Sequence, residues 1–283
     1  MFTLVATASD ELWTAWSLDP LALVLAAFAV GFFVHGWRRL RARRPELAPV
    51  SRVALFCAGL AVVLLAVVSP LDAIAEEYLQ SAHMLQHVLL ADLGIALVLL
   101  ALRGPLTFFF LPRDLLAPLA RARAARGALA FLLRPGIAFG LWLAVLVAWH
   151  VPAAYEGALE QPLLHRLEHV SFVVVGALVW TLLIDPGRHG RLSLVQRIGL
   201  AVLLFWAGQL LSYVLLFGFE PYYGVYESQD ERLLGLSPLG DQKLAGVVMM
   251  VEQALTLGVA IVVLVRAARR ERPLAGTTTE PVA

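Results

Sequence analysis

Seven stretches of this chain, at about 18–37, 53–71, 82–102, 136–155, 165–184, 194–218 and 243–265, are almost uninterruptedly apolar. Each approaches the roughly 20 residues a helix needs to cross a hydrocarbon core about 30 Å thick. Lipid cannot satisfy open backbone groups, and the runs lack the alternation of a barrel strand, so helices are the expected element. With 60% hydrophobic and 15% charged residues, the chain has more apolar surface than one water-soluble core could bury. The fold class expected is therefore all-α, a polytopic membrane protein built as a seven-transmembrane-helix bundle. One domain is expected over 1–271, with a disordered tail over 272–283. No basic region precedes the first apolar residues, so no cleaved signal peptide is expected.

The net charge of +1 conceals a segregation of sign. Nineteen of the 22 basic residues fall in loops 37–52, 103–135 and 185–197 or in the C-terminal flank. The alternate loops carry Asp72, Glu76, Glu77, Glu156, Glu160, Glu227, Asp230 and Glu231. Positively charged loops stay in the cytoplasm, which puts the N-terminus outside and the C-terminus inside. The basic, apolar segment between spans 3 and 4 reads as an interfacial helix anchored on that side. The bilayer is thus the expected partner of the basic residues, and no nucleic-acid footprint is read from them. Trp13, Trp16, Trp37, Trp149, Tyr155, Tyr222, Tyr223 and Tyr226 fall near span ends, where an aromatic belt is expected.

The seven histidines carry most of the functional information. With this topology His83, His87, His150, His165 and His169 share one depth near the outer surface, while His35 and His189 lie at the inner side. His83/His87 and His165/His169 are each spaced i, i+4, which stacks two imidazoles on one helix face. Spans 4 and 5 are joined by a loop of about ten residues, so spans 3, 4 and 5 can converge on one site open to the outer water. Ala91 and Gly94 continue the His83/His87 face and permit close approach of a neighbouring helix.

Imidazole suits copper, zinc, iron and nickel, and thioethers bias a site toward Cu(I). Met84 adjoins the first histidine pair, Met249 and Met250 lie in span 7, and Glu168 is placed to orient His165. The lone Cys57 excludes thiolate clusters and CxxC redox pairs. Asp92, Glu168 and Glu252 are carboxylates inside spans, each a functional candidate by default. Asp92 lies about 180° around an ideal helix from His83, and Glu252 could hold a proton, pair with Gln209 or approach a cation. The residues alone leave three readings open: a copper site, haem ligation, or a structural or proton-relay network. Histidines four apart on one helix cannot ligate opposite haem faces, which favours an ion. The usual hydrolase and nucleotide-binding signatures are absent, and no enzymatic activity is expected.

HMLQHVLL in span 3, WHVPAAYEGALEQPLLHRLEHVSF across spans 4 and 5, and DQKLAGVVMM entering span 7 resemble the CtaG-type cytochrome c oxidase assembly factors associated with caa(3)-type oxidases. The likeness covers most of residues 20–265. It implies a bacterial plasma-membrane protein that works with oxidase subunits, and possible copper chaperones, in assembling an aa(3)-class terminal oxidase and handling its copper. The histidines of the family's motifs correspond to His83, His87, His150, His165 and His169. DQKLAGVVMM continues into VEQALTLG where a Pro/Gly-broken segment is expected of relatives, so no family role is carried over to Glu252. The cysteine ligands of the unrelated single-span copper chaperone that shares the CtaG name have no counterpart here.

Overall fold

A computed structural model describes residue 12 and residues 14–17, 19–228 and 233–271. The tail from Arg272, Trp13, Asp230, Glu231 and Arg232 lie outside the described residues. Among the described residues all regular structure is helical. The helices are α1 (Pro20–Arg43), α2 (Val50–Val68), α3 (Pro70–Glu77), α4 (Gln80–Leu102), α5 (Leu106–Phe109), α6 (Arg113–Arg121) and α7 (Arg123–Leu132). They are followed by α8 (Pro135–Trp149), α9 (Pro152–Glu160), α10 (Pro162–Ile184), α11 (Leu194–Leu216), α12 (Gly224–Glu227) and α13 (Pro238–Glu271).

Six of these are long and apolar enough to cross a membrane, counting α2 with the short turn before it. A seventh candidate is a bent pair, α7 and α8, whose axes differ by 71° and which counts as a span only if the two are taken together. Pro135 is the cause: it drives Arg134 into an extended conformation (ψ 129°), so the helix must end and restart. Pro152 repeats the device at the other end of α8. Val151 is extended (ψ 127°), α8 stops at Trp149, and the segment after it forms α9. Span 4 therefore ends six residues short of its expected limit at 155, and the expected loop to span 5 is itself helical.

α4 occupies the centre, packed against α2, α3, α10 and α13, while α1 lies at the periphery. Close approach is possible because of two backbone crossings. A Cβ on Gly176 of α10 would overlap the Ala91 carbonyl, and one on Gly59 of α2 would meet the Gly94 carbonyl. As its sequence requires, α4 is thus held by small residues on two sides. Midway, from Leu89 to Gly94, it winds as a π-helix. Such a turn bonds residues five apart instead of four, so side chains beyond it rotate away from their α-helical positions.

The basic loops gather at one end of the bundle. Arg52 donates to the carbonyls of Ala101 (3.0 Å) and Arg103, and Gly104 N–H donates to the Pro186 carbonyl (2.6 Å). The five clustered histidines lie toward the other end. His35 and His189 are apart from them, beside Arg39 and Phe108 respectively.

Candidate metal centre

The i, i+4 pairs of α4 and α10 face each other. His83 and His87 have ring centroids 4.3 Å apart, His165 and His169 4.2 Å. Across the interface His83 lies 5.6 Å from His165, and His87 lies 5.2 Å from His169. The four imidazoles form a closed quadrilateral with no ring-sized gap inside it. Glu168 points into the same space, its Oε1 3.7 Å from Nε2 of both His83 and His87. Ligand atoms of His83, His87, His165 and Glu168 all lie within 4.8 Å of one another.

His150 arrives from a third helix. As the residue capping α8 it keeps a near-helical conformation, and its Nδ1 donates to the Leu146 carbonyl at 2.7 Å. That bond fixes the tautomer and leaves Nε2 with its lone pair. A small cavity of about 40 Å³ brings together His150, His87, Met84, Met249, Asp92 and Gln253. His87 therefore belongs to two donor sets: imidazoles with a carboxylate on one side, imidazoles with thioethers on the other.

His165 has a fixed tautomer too, through Glu76. Its Nδ1 lies 2.6 Å from Glu76 Oε1, the carboxylate–histidine pattern that orients metal-binding imidazoles. Glu168 is thus not the acceptor for His165. The peptide turn of α3 puts Glu76 there, whereas Glu168, three residues along α10, faces His83 and His87. Burial, and then the charge of Glu76, push the Asp72 carboxyl up to about 6. The hydrogen bond from His165 holds Glu76 below the usual carboxylate range. Both acids line a cleft of about 470 Å³ that reaches His165 and His169 from the side of α1.

The protein leaves an unusual set of buried atoms without hydrogen-bond partners. Among the described residues they include both ring nitrogens of His83 and His87, Nε2 of His150, His165 and His169, and Glu168 Oε2. Buried polar atoms are normally satisfied, so a cluster of orphaned imidazole nitrogens calls for an explanation. Imidazole nitrogens flanked by a carboxylate and two thioethers match the donor preferences of a transition-metal cation.

Asp92, beyond the start of the π turn, lines the same small cavity as His87 but accepts its hydrogen bond from Trp180 Nε1 at 2.9 Å, a contact separate from the His83/His87 pair. Other expected positions differ. Met250 is half-buried and does not line the cavity that Met249 enters; its carbonyl accepts from Gln209. Glu252 makes no pair with Gln209, which bonds Gln253 instead, and both its carboxyl oxygens are buried without partners. Its electrostatic neighbour is Asp92. Tyr155, Tyr223 and Tyr226 are core residues, not an interfacial belt. Tyr155 stacks on Tyr223 at 3.9 Å, shares a hydrogen bond with Tyr226, and lies 5.0 Å from the His83 ring.

No curated protein and no solved structure matches the chain. The family model for the cytochrome c oxidase caa3 assembly factor matches residues 31–271, which include every spanning helix beyond the first half of α1 and all five clustered histidines. The chain belongs to the caa3-type cytochrome c oxidase assembly factor family.

Proposed function

We propose that this protein is a non-enzymatic assembly factor of the bacterial plasma membrane that holds copper as cargo and supplies it to a subunit of an aa(3)/caa(3)-type oxidase. Its ligands are drawn from His83, His87, His150, His165, His169 and Glu168, with Met84 and Met249 favouring Cu(I). Asp92 and Glu252 are outside this ligand set. The observation that carries the reading is the group of five buried, unpartnered Nε2 atoms contributed by three helices. No protein group within hydrogen-bond distance meets these atoms, and two of the rings, His150 and His165, are locked with Nδ1–H turned away and the Nε2 lone pair facing the cluster. We orient the protein with the histidine end outside, because the arginine-rich loops at the opposite end follow the positive-inside rule. The 470 Å³ cleft, lined by Asp72 and Glu76, then gives a cation an acidic way in from the outer water.

Elemental analysis of the purified protein tests this reading. Copper should be present in near-stoichiometric amount and should be lost in the double variant His87→Ala, His169→Ala. Unchanged metal content in that variant removes the site. A Soret band would instead indicate haem, although the tight packing of the four rings offers no place for a macrocycle between them. Oxidase assembly restored by a variant lacking all five histidines would reduce the protein to a scaffold.

A further inference from the structure

A second cavity, unrelated to the histidines, lies in the opposite half of the bundle. It has a volume of about 310 Å³ and is enclosed by α4, α10, α11 and α13. Along α4 it runs from Leu93 to Arg103, a rise of about 15 Å. Its walls are apolar, and they include Leu100, Leu255, Val259 and Val263, all exposed on the outer face of the bundle. The cavity is therefore a slot open sideways to the hydrocarbon.

Only one end of this slot is charged. Arg103 and Arg197 line it there. Arg197 gives Nε (2.8 Å) and Nη2 (2.5 Å) to the Leu183 carbonyl, which leaves its Nη1 uncommitted. Arg52 lies in the field of Arg103 and Arg188, so four guanidinium groups occupy this corner. The carboxylate that acts on Arg197 is Asp185, and its oxygens are already engaged by the backbone N–H groups of His189 and Gly190. An apolar slot capped by excess positive charge is complementary to an amphiphile with an anionic head.

We propose that this slot binds an anionic phospholipid, one acyl chain lying between α4 and α13 and the headgroup phosphate on Arg103 and Arg197. Basic pockets between helices at the cytoplasmic surface take anionic headgroups for the same electrostatic reason. A zwitterionic lipid offers the same chain but no net charge to offset the arginines. A bound lipid here would also fill the gap between α10, which carries His165 and His169, and α13, which carries Met249.

The test is native mass spectrometry of protein extracted from vesicles containing equal amounts of phosphatidylglycerol and phosphatidylcholine. Wild-type protein should retain phosphatidylglycerol in preference. Arg103→Gln should weaken that retention by about fivefold, the effect of removing one basic group at the surface. Arg103 is exposed, and its loss leaves the Arg197 bonds to Leu183 in place, so this variant should fold. Ala260→Trp, which fills the slot without touching its charge, should abolish retention, whereas Arg123→Gln on α7 should not change it. Equal retention of the two lipids, or retention indifferent to both slot variants, overturns the proposal. So does photocrosslinking from Val259 to a protein helix in place of lipid. Copper content is read separately and should be the same in all these variants.

Discussion

His165 Nδ1 and Glu76 Oε1 meet at 2.6 Å across the junction between a short helix and a spanning one. This bond sets which nitrogen of His165 faces the other imidazoles. Glu76→Gln preserves the shape but removes the charge that orients and polarises the ring. Loss of such an acceptor lowers metal affinity by about 10- to 100-fold in other sites. The expected result is a weaker copper affinity of that order in competition titrations, with unchanged far-ultraviolet circular dichroism.

Met249→Leu tests the thioether side of the cluster. The change nearly conserves volume, so the fold should hold within about 1.5 kcal/mol. Cu(I) affinity should fall while Zn(II) affinity, governed by the imidazoles, stays the same. A parallel loss of both metals would mean that Met249 serves only to pack the cavity it lines with Met84 and His87.

Gly176 is where α10 crosses α4 over Ala91. Gly176→Ala should push the two histidine pairs apart and cost about 1–3 kcal/mol, the usual range for overpacking. Thermal unfolding should register the loss of stability. Copper content should fall with it, because both pairs are carried by the same two helices.

Trp180→Phe removes the N–H that Asp92 accepts at 2.9 Å. A buried acceptor left unsatisfied costs about 1–3 kcal/mol. Copper binding at the histidines should be unaffected, which would separate the Asp92–Trp180 pair from the ligand set.

Asp72 titrates near 6 in the folded protein, above its ordinary value, because it is buried beside Glu76. The folded state therefore binds a proton more tightly than the unfolded state, and this contribution to stability declines as pH rises through about 6. Asp72→Asn should flatten that part of the pH–melting curve relative to wild type. An identical curve for the two proteins would show that Asp72 is not coupled to folding.

The spanning helices and the convergence of the histidines were legible because both depend on one-dimensional patterns: apolar run length, arginine placement and i, i+4 spacing. What escaped depends on the third dimension. Glu76 sits in an acidic stretch that reads as a loop, although Ser69 and Pro70 with Asp72 behind them form a helix start that apolar-run counting absorbs into span 2. Nothing local in LLADLG announces a π turn. Tyr155, Tyr223 and Tyr226 fall near span ends, where the belt rule applies to lipid-facing residues; α9 and α12 fold theirs inward.

The double membership of His87 has a kinetic corollary. Copper passing from the carboxylate side toward Met84 and Met249 could keep its bond to this one imidazole while the remaining ligands are exchanged in turn. The ion would pivot around a fixed anchor instead of dissociating, so its coordination shell would never be emptied within the low-dielectric interior. Replacing that anchor should therefore slow transit between the two flanks more than it weakens either flank alone.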